Sequence, residues 1–584
     1  MTAGPTTAAA GEPTAAAPAD AAPAPAAGPA WAVLADTLAR AGCRAVFGLP
    51  TDEPGLLDAA EAHPDLTAVA VADQRVAACA AAGHALTSGA PAVLALTTGP
   101  AFVNALAGLS EAASLCAPVV VVTTRAPGAQ LGRGAFQYVD QAAMADPLLT
   151  WYTLVERPDR LVWAVRRAVA LAVAGRPGVT VVEVTDEVAR EVVDPAGEPV
   201  APARRLVAVP PAADLDRAAR LLTGARLPVI LAGGGTRWGD QAAAVVRLAE
   251  RLHAPIVTTA AGRGVVDERH PLSLGCAGLY ATPPVDALLE RADVVLALGS
   301  RLEETVRMDW PGLSRAALVQ VDLDVRAFDA GVPPALALLG DAGATAAALA
   351  DRIADDDVDA VDRADRAALL RDVRAGATRT VADQLDRSPV RRALREVAAV
   401  YGDRVVWVHE NGLHDIWSYH RPALTVAAGA TVVCPGEQTM MGFGVAAAIG
   451  AATAAPERPV VVLAGDGAVQ LSVNALPTAA ARRLGITVLM FDNQGFGWPR
   501  HLRALAGEPP GPARFPTPVP VLDWVRACGG WAADLAVTPD LGAVLREAHA
   551  AAGRGELALV RVPVPDTDVP VGVRRLLGPP QDGG

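Results

Sequence analysis

Two short segments carry residue types from which a metal and phosphate site can be built: Gly465-Asp466-Gly467 and, further along, Asp492-Asn493-Gln494-Gly495. Each follows an apolar run, at 460–463 and 487–491, so both read as loops leaving buried parallel strands at the carboxyl edge, where open α/β sheets bind ligands. A carboxylate, an amide oxygen and a nearby backbone carbonyl make a hard oxygen set suited to Mg²⁺. The glycines let backbone approach phosphate closely. Either segment alone reads as an ordinary turn. Together, after two successive strands, they predict a cation holding a diphosphate.

The elements that must position these loops follow from length and patterning. A chain of 584 residues is too long for one core, and 52% hydrophobic content with only 4% aromatics implies interiors packed by Ala, Val and Leu. Short β-rich runs at 44–47, 67–71, 92–97, 118–123 and 179–184 alternate with helical patterns, including a small-residue helix from Gln74. The same alternation returns at 228–232, 255–258, 294–298 and 318–321, and again at 405–409, 460–463, 487–491 and 558–562. The fold class is therefore α/β, with three doubly wound parallel-sheet units. The expected divisions are an Ala/Pro-rich disordered tail (1–29), a first unit (30–190), a linker (191–212), a central unit (213–350), a linker helix (351–388), a third unit (389–570) and a C-terminal tail (571–584).

Composition excludes several chemistries. The chain has no lysine, which rules out a Schiff-base lysine, a Walker A loop and the strand lysine of protein kinases. A net charge of −13 without a basic run argues against nucleic acid as a partner. The six cysteines are scattered, with no metal or redox spacing, and are expected to be small buried residues. The first 29 residues have neither a basic start nor an apolar centre, so they do not read as a signal peptide, and no apolar run reaches the ~20 residues of a membrane span. A cytoplasmic protein with no membrane partner is expected.

The two loops resemble the thiamine diphosphate (ThDP) motif, with Asp492 in place of the first asparagine. The resemblance extends over nearly the whole chain from about residue 30 and is to acetolactate synthase large subunits. It implies the ThDP-binding fold: a pyrimidine domain, a central Rossmann-like domain and a diphosphate domain. It also implies Asp466, Asn493 and the Gly495 carbonyl as Mg²⁺ ligands, with Gly465, Gly467 and Ala468 beside the cofactor. Residues 435–444 (PGEQTMMGFG) resemble the pyrimidine-holding segment, where Met441 bends the cofactor and the Thr439 carbonyl accepts from its 4′-amino group. Gly412-Leu413-His414-Asp415 resembles a diphosphate-contacting Gly-Gln-His, with His414 retained. Thr98-Gly99-Pro100 and Ala135-Phe136-Gln137-Tyr138-Val139-Asp140 resemble segments bordering the substrate pocket, making Gly99, Phe136 and Gln137 site candidates. Trp498, Pro499 and His501 replace a Met-Val stretch and a glutamine, and Trp498 is expected to reshape the pocket. The central unit, through 233–235, Gly299-Ser300-Arg301 and 321–324, resembles a domain that holds FAD in some relatives and another nucleotide or nothing in others.

One departure bears on catalysis. Aligning residues 69–75 with the family's strand-to-helix junction puts Gln74 where a glutamate normally bonds N1′ of the pyrimidine. A glutamine amide bonds there but exchanges no proton, which slows proton transfer by roughly 10²–10⁴-fold. Glu437 is the preferred substitute acid; Asp73 and Glu53 are others, Asp73 being expected to face away from Gln74. The resemblance implies a decarboxylating carboligase that takes a 2-oxo acid and an acceptor carbonyl, in a homodimer or homotetramer with shared active sites. The alternative is a cofactor-binding, weakly catalytic paralogue acting as a regulatory or scaffold partner.

Overall fold

The computed structural model describes residues 25–570 apart from 196, 239, 240, 309, 355 and 386. The expected tails fall outside these residues, except for 25–29. There Gly28–Pro29 pairs antiparallel with Val192–Val193, joining the end of one expected tail to the start of one expected linker.

Three six-stranded sheets form the body, and every strand pair within them is parallel. Their central strands, such as Ala92–Ala95, Pro228–Ala232, Val294–Leu298 and Val460–Gly465, are almost wholly buried, as strands covered by helices on both faces must be. Numbered within each unit, the first and third sheets share the strand order 2-1-3-4-6-5, whereas the central sheet runs 3-2-1-4-5-6. Strand order reverses between strands 1 and 3 in the outer units and between 1 and 4 in the central one. Ligand crevices belong at those switch points.

The two like-ordered units pack on each other through equivalent helices. Gln74–Ser88 follows the second strand of the first sheet, and Phe443–Ala454 follows the second strand of the third. Both are rich in small residues, so their backbones come close. A Cβ at Gly83 would lie 2.1 Å from the Ala447 carbonyl oxygen, and one at Gly450 1.8 Å from that of Ala80. One hydrophobic cluster consequently runs through both units. Gln74–Ser88 is capped by Asp73, which accepts from the Arg75 N–H at 2.7 Å, and it ends on Gly89 at φ +73°. The helix Ala360–Leu385 follows the central unit, and Pro389–Tyr401 leads into the third.

Among the described residues no helix is long and apolar enough to cross a membrane. Cys43, Cys79, Cys276 and Cys434 are buried, while Cys116 and Cys528 are partly exposed.

Candidate active site

The carboxyl edge of the third sheet opens into a cavity of about 660 Å³ at its switch point. Asp466 begins the helix Asp466–Leu471 directly after strand Val460–Gly465, and Asn493 follows strand Ile486–Asp492. Asp466 is buried; its Oδ1 accepts from the Gly467 N–H at 2.9 Å and its Oδ2 from the Gly495 N–H at 3.1 Å. Burial, with the neighbouring Asp492 carboxylate, pushes Asp466 up to about 7. Asp492 pairs with Arg561, which also bonds Asp534 at 2.8 Å.

The Asn493 amide lies between the Gly495 carbonyl and Arg500. Turned one way, its nitrogen donates to Gly495 O at 2.8 Å and its oxygen accepts from Arg500 Nη2 at 3.3 Å. Turned the other way, its oxygen joins the Gly495 oxygen in a pair of facing acceptors, an arrangement a cation stabilises. With the buried Asp466 carboxylate beside them, these donors fit Mg²⁺. Arg500, itself bonded to the Asn493 carbonyl at 3.0 Å and to Asp566 at 2.6 Å, holds the turn from behind.

His414 lies on the helix Leu413–Tyr419, stacks on Phe491 at 5.3 Å and bonds the Leu463 carbonyl through Nε2 at 3.2 Å. Burial lowers it to about 4, so at neutral pH it is an uncharged ring. Thr439, at φ +47°, and Met441 face the same cavity, as do Gly465, Gly467, Ala468 and Trp498. Tyr280 and Thr305 of the central unit complete one side of the wall.

Gln74, Gly99, Phe136, Gln137 and Glu437 do not line the cavity within one chain. Four of them gather at the carboxyl edge of the first sheet. Gly99, at φ +72°, packs so tightly under Gln137 that a Cβ would lie 1.8 Å from its carbonyl oxygen, and Phe136 is 85% exposed. Gln74 Oε1 accepts from Asn104 Nδ2 at 2.8 Å. Asp73 does not face away as expected. It sits at a helix start rather than in a strand, so strand alternation does not apply, and it shares the Asn104 amide with Gln74 at 3.2 Å. Glu437 accepts from the Thr305 hydroxyl, and exposed Glu53 pairs with Arg190 at 2.9 Å.

Sequence reasoning missed two buried acids around residues 435–444. Glu111, on the helix Pro100–Ser114 of the first unit, accepts from the backbone N–H groups of Gly436 and Met440, the latter at 2.8 Å. Glu410, just past strand Val406–His409, accepts from those of Gly444 at 2.7 Å and Gly442 at 3.2 Å. Burial raises both, Glu410 to about 8. A single charged residue inside an otherwise uncharged helix was the available signal for Glu111.

Three segments match thiamine pyrophosphate enzyme families: the N-terminal TPP binding domain over residues 30–144, the central domain over 215–349 and the C-terminal TPP binding domain over 410–562. A sulfoacetaldehyde acetyltransferase of Rhodobacter capsulatus is 31% identical over 431 residues, covering 68% of this chain and 70% of the relative. The chain belongs to the thiamine pyrophosphate enzyme family. A probable acetolactate synthase large subunit of Methanococcus aeolicus is 26% identical over 416 residues, covering 68% of this chain and 69% of the relative. The acetolactate synthase isozyme 1 large subunit of Escherichia coli is 25% identical over 404 residues, with 68% and 69% covered. The chain is accordingly an enzyme of the ThDP-dependent acyl-transferase type, resembling acetolactate synthases, with the three parallel-sheet domains of that family.

The central unit has a separate crevice at its own switch point. Gly233 and Gly235 abut Gly299 there, the Gly235 N–H donating to the Gly299 carbonyl at 2.9 Å. The crevice is about 110 Å³ and is lined by Arg176, Arg205, Arg301 and Asp322.

Proposed function

We propose that this chain is a ThDP- and Mg²⁺-dependent decarboxylating carboligase that moves an acyl-anion equivalent from a 2-oxo acid to an acceptor carbonyl. The observation that carries the reading is the convergence of Asp466, Asn493, Gly495, His414, Thr439 and Met441 on one cavity. In this proposal Asp466, the Asn493 amide oxygen and the Gly495 carbonyl hold Mg²⁺, and the close-approaching Gly465, Gly467 and Ala468 leave room for the diphosphate. His414, uncharged, orients by hydrogen bonding rather than by charge. Met441 would pack against the bound cofactor, and the Thr439 carbonyl would accept from its amino group. ThDP, when bound, supplies the carbon nucleophile and the electron sink.

The first-unit residues complete the site from a second copy. Gln74, Gly99, Phe136 and Gln137 lie outside the cavity of their own chain, and the exposure of Phe136 supports a role across an interface in a homodimer or homotetramer. Phe136, Gln137 and Trp498 then exclude water and shape the donor and acceptor pockets. Gln74 faces the pyrimidine. Glu437, held by Thr305 of the cavity wall, is the preferred candidate to move a proton in place of a family glutamate.

The substitution at Gln74 also favours a second reading, a regulatory or scaffold paralogue that binds the cofactor and turns over weakly. Loading the protein with ThDP and Mg²⁺ and following deuterium exchange at C2, with CO₂ release from pyruvate and other 2-oxo acids, separates the two. The carboligase reading expects exchange faster than in free cofactor, CO₂ from at least one donor, and a further rise in exchange of roughly 10²-fold or more in Gln74→Glu. Exchange at the free-cofactor rate with no CO₂ from any donor would leave only the paralogue.

A further inference from the structure

The half-buried amide of Gln74 takes its direction from a chain of side chains that runs through the exposed Asn104. Asp73 Oδ1 accepts from the Arg75 backbone N–H at 2.7 Å, so it is an acceptor. Its Oδ2 accepts from Asn474 Nδ2 at 2.8 Å. Asn104, on the helix Pro100–Ser114, lies 3.2 Å from that same Oδ1, and the group it turns there must be its NH₂. The same NH₂ lies 2.8 Å from Gln74. An NH₂ accepts nothing, so Gln74 meets it with its carbonyl oxygen. The Gln74 NH₂, on the other arm of the planar amide, then points away from Asn104.

We propose that Asn104 is a positioning residue that fixes Gln74 as a hydrogen-bond donor, so that the first unit offers the pyrimidine N1′ a permanent N–H in place of an exchangeable proton. This rests on the reading above that Gln74 faces the pyrimidine of ThDP. An N–H donor suits an unprotonated ring nitrogen and is repelled by a protonated one. Reversing the amide would let its oxygen accept from a protonated N1′, but it would also set two NH₂ groups face to face at 2.8 Å and leave a donor unpaired. Asn104 therefore holds the bound ring in its neutral form. It does so through Asp73, whose carboxylate oxygens accept from the Arg75 N–H and from the Asn104 and Asn474 amides.

The test uses the full chain with Mg²⁺ and two ligands, ThDP and its 1′-deaza analogue, in which CH replaces N1′. Calorimetric titration is expected to show ThDP binding about tenfold more tightly than the analogue at pH 6 and at pH 8 alike, the size of one neutral hydrogen bond. Asn104→Ala should narrow that ratio to about twofold or less while leaving affinity for the analogue nearly unchanged. With ¹⁵N at N1′, the bound nitrogen should resonate in the unprotonated range throughout, and Gln74→Glu should move it toward the protonated range. Equal affinity of the wild type for the two ligands, a protonated ring nitrogen in the wild type, or a ratio unaltered in Asn104→Ala overturns the proposal and leaves ThDP binding standing. Failure of the wild type to bind ThDP at all overturns both readings. The comparison of ligands on the wild type decides the matter even where Asn104→Ala does not fold.

Discussion

Glu111 is wholly buried, yet it spends both carboxylate oxygens on backbone N–H groups of another unit, at Gly436 and Met440. Those two bonds bracket the turn in which Thr439 adopts φ +47°. A Cβ at Gly436 would lie 2.6 Å from Ser114 Oγ, so the approach of the helix to the turn is tight. Truncating Glu111→Ala leaves two half-buried N–H groups without their partner, at a cost of about 1–3 kcal/mol. It also frees the segment that carries Thr439 and Met441. The expected outcome is a lower urea midpoint together with weaker ThDP binding, and Glu111→Gln, which keeps one acceptor, should fall between. Unchanged affinity in a destabilised Glu111→Ala would show that the clamp serves stability alone. At this scale the sequence disclosed residues whose spacing repeats a known motif, such as Asp466 and Asn493. It did not disclose Glu111, Glu410 or Asn104, because their roles depend on backbone groups and amides brought up from distant segments.

The elements were legible in proportion to how completely the fold buries them. The interior strands all announced themselves as apolar runs, and Pro228–Ala232 and Val294–Leu298 have the bounds that patterning predicts. The strands that patterning missed are edges: Leu149–Val155, Ser273–Cys276, Leu336–Leu339, Thr431–Val433 and Trp531–Asp534. An edge strand has one neighbour and often one wet face, so its composition need not be continuously apolar, as the two threonines within Leu149–Val155 show. The packing of Gln74–Ser88 on Phe443–Ala454 was equally hidden, since a helix of small residues does not name its partner. Their contact is backbone to backbone and cannot yield by a rotamer change. Gly450→Val should therefore separate the helices and cost about 3 kcal/mol or more, lowering the melting temperature by several degrees. A Gly450→Val protein that melts with the wild type would mean that these helices are not what joins the two units.

At the scale of the molecule, all three units place a buried or half-buried acid near residues 435–444. Glu111 comes from the first, Glu303 from the central unit and Glu410 from the third, and burial holds each above the ordinary carboxylate range. Asp415, on the cavity wall, is likewise pushed up to about 7 by burial. An acid whose folded value is raised binds its proton more tightly in the native state. Its contribution is complete below the unfolded value and is lost as pH rises through the folded one. Buried His84, His409, His414 and His420 are lowered to about 4, 3, 4 and 3, so they destabilise the fold as pH falls from 6.5. Above 6.5 they are neutral in both states and drop out, leaving the acids to set the slope. The protein without cofactor should thus lose stability from pH 6.5 to about 8, by about 1.4 kcal/mol per pH unit for each proton held only by the native state. Melting temperatures across that range provide the measurement, with Glu410→Gln expected to flatten the decline because an amide has no proton to lose. The decline matters for assembly as well as for folding, because the acids that lose protons stand where the three units meet. A flat profile in the wild type, or one as steep in Glu410→Gln, would show that the junction does not bind protons in the way its burial requires.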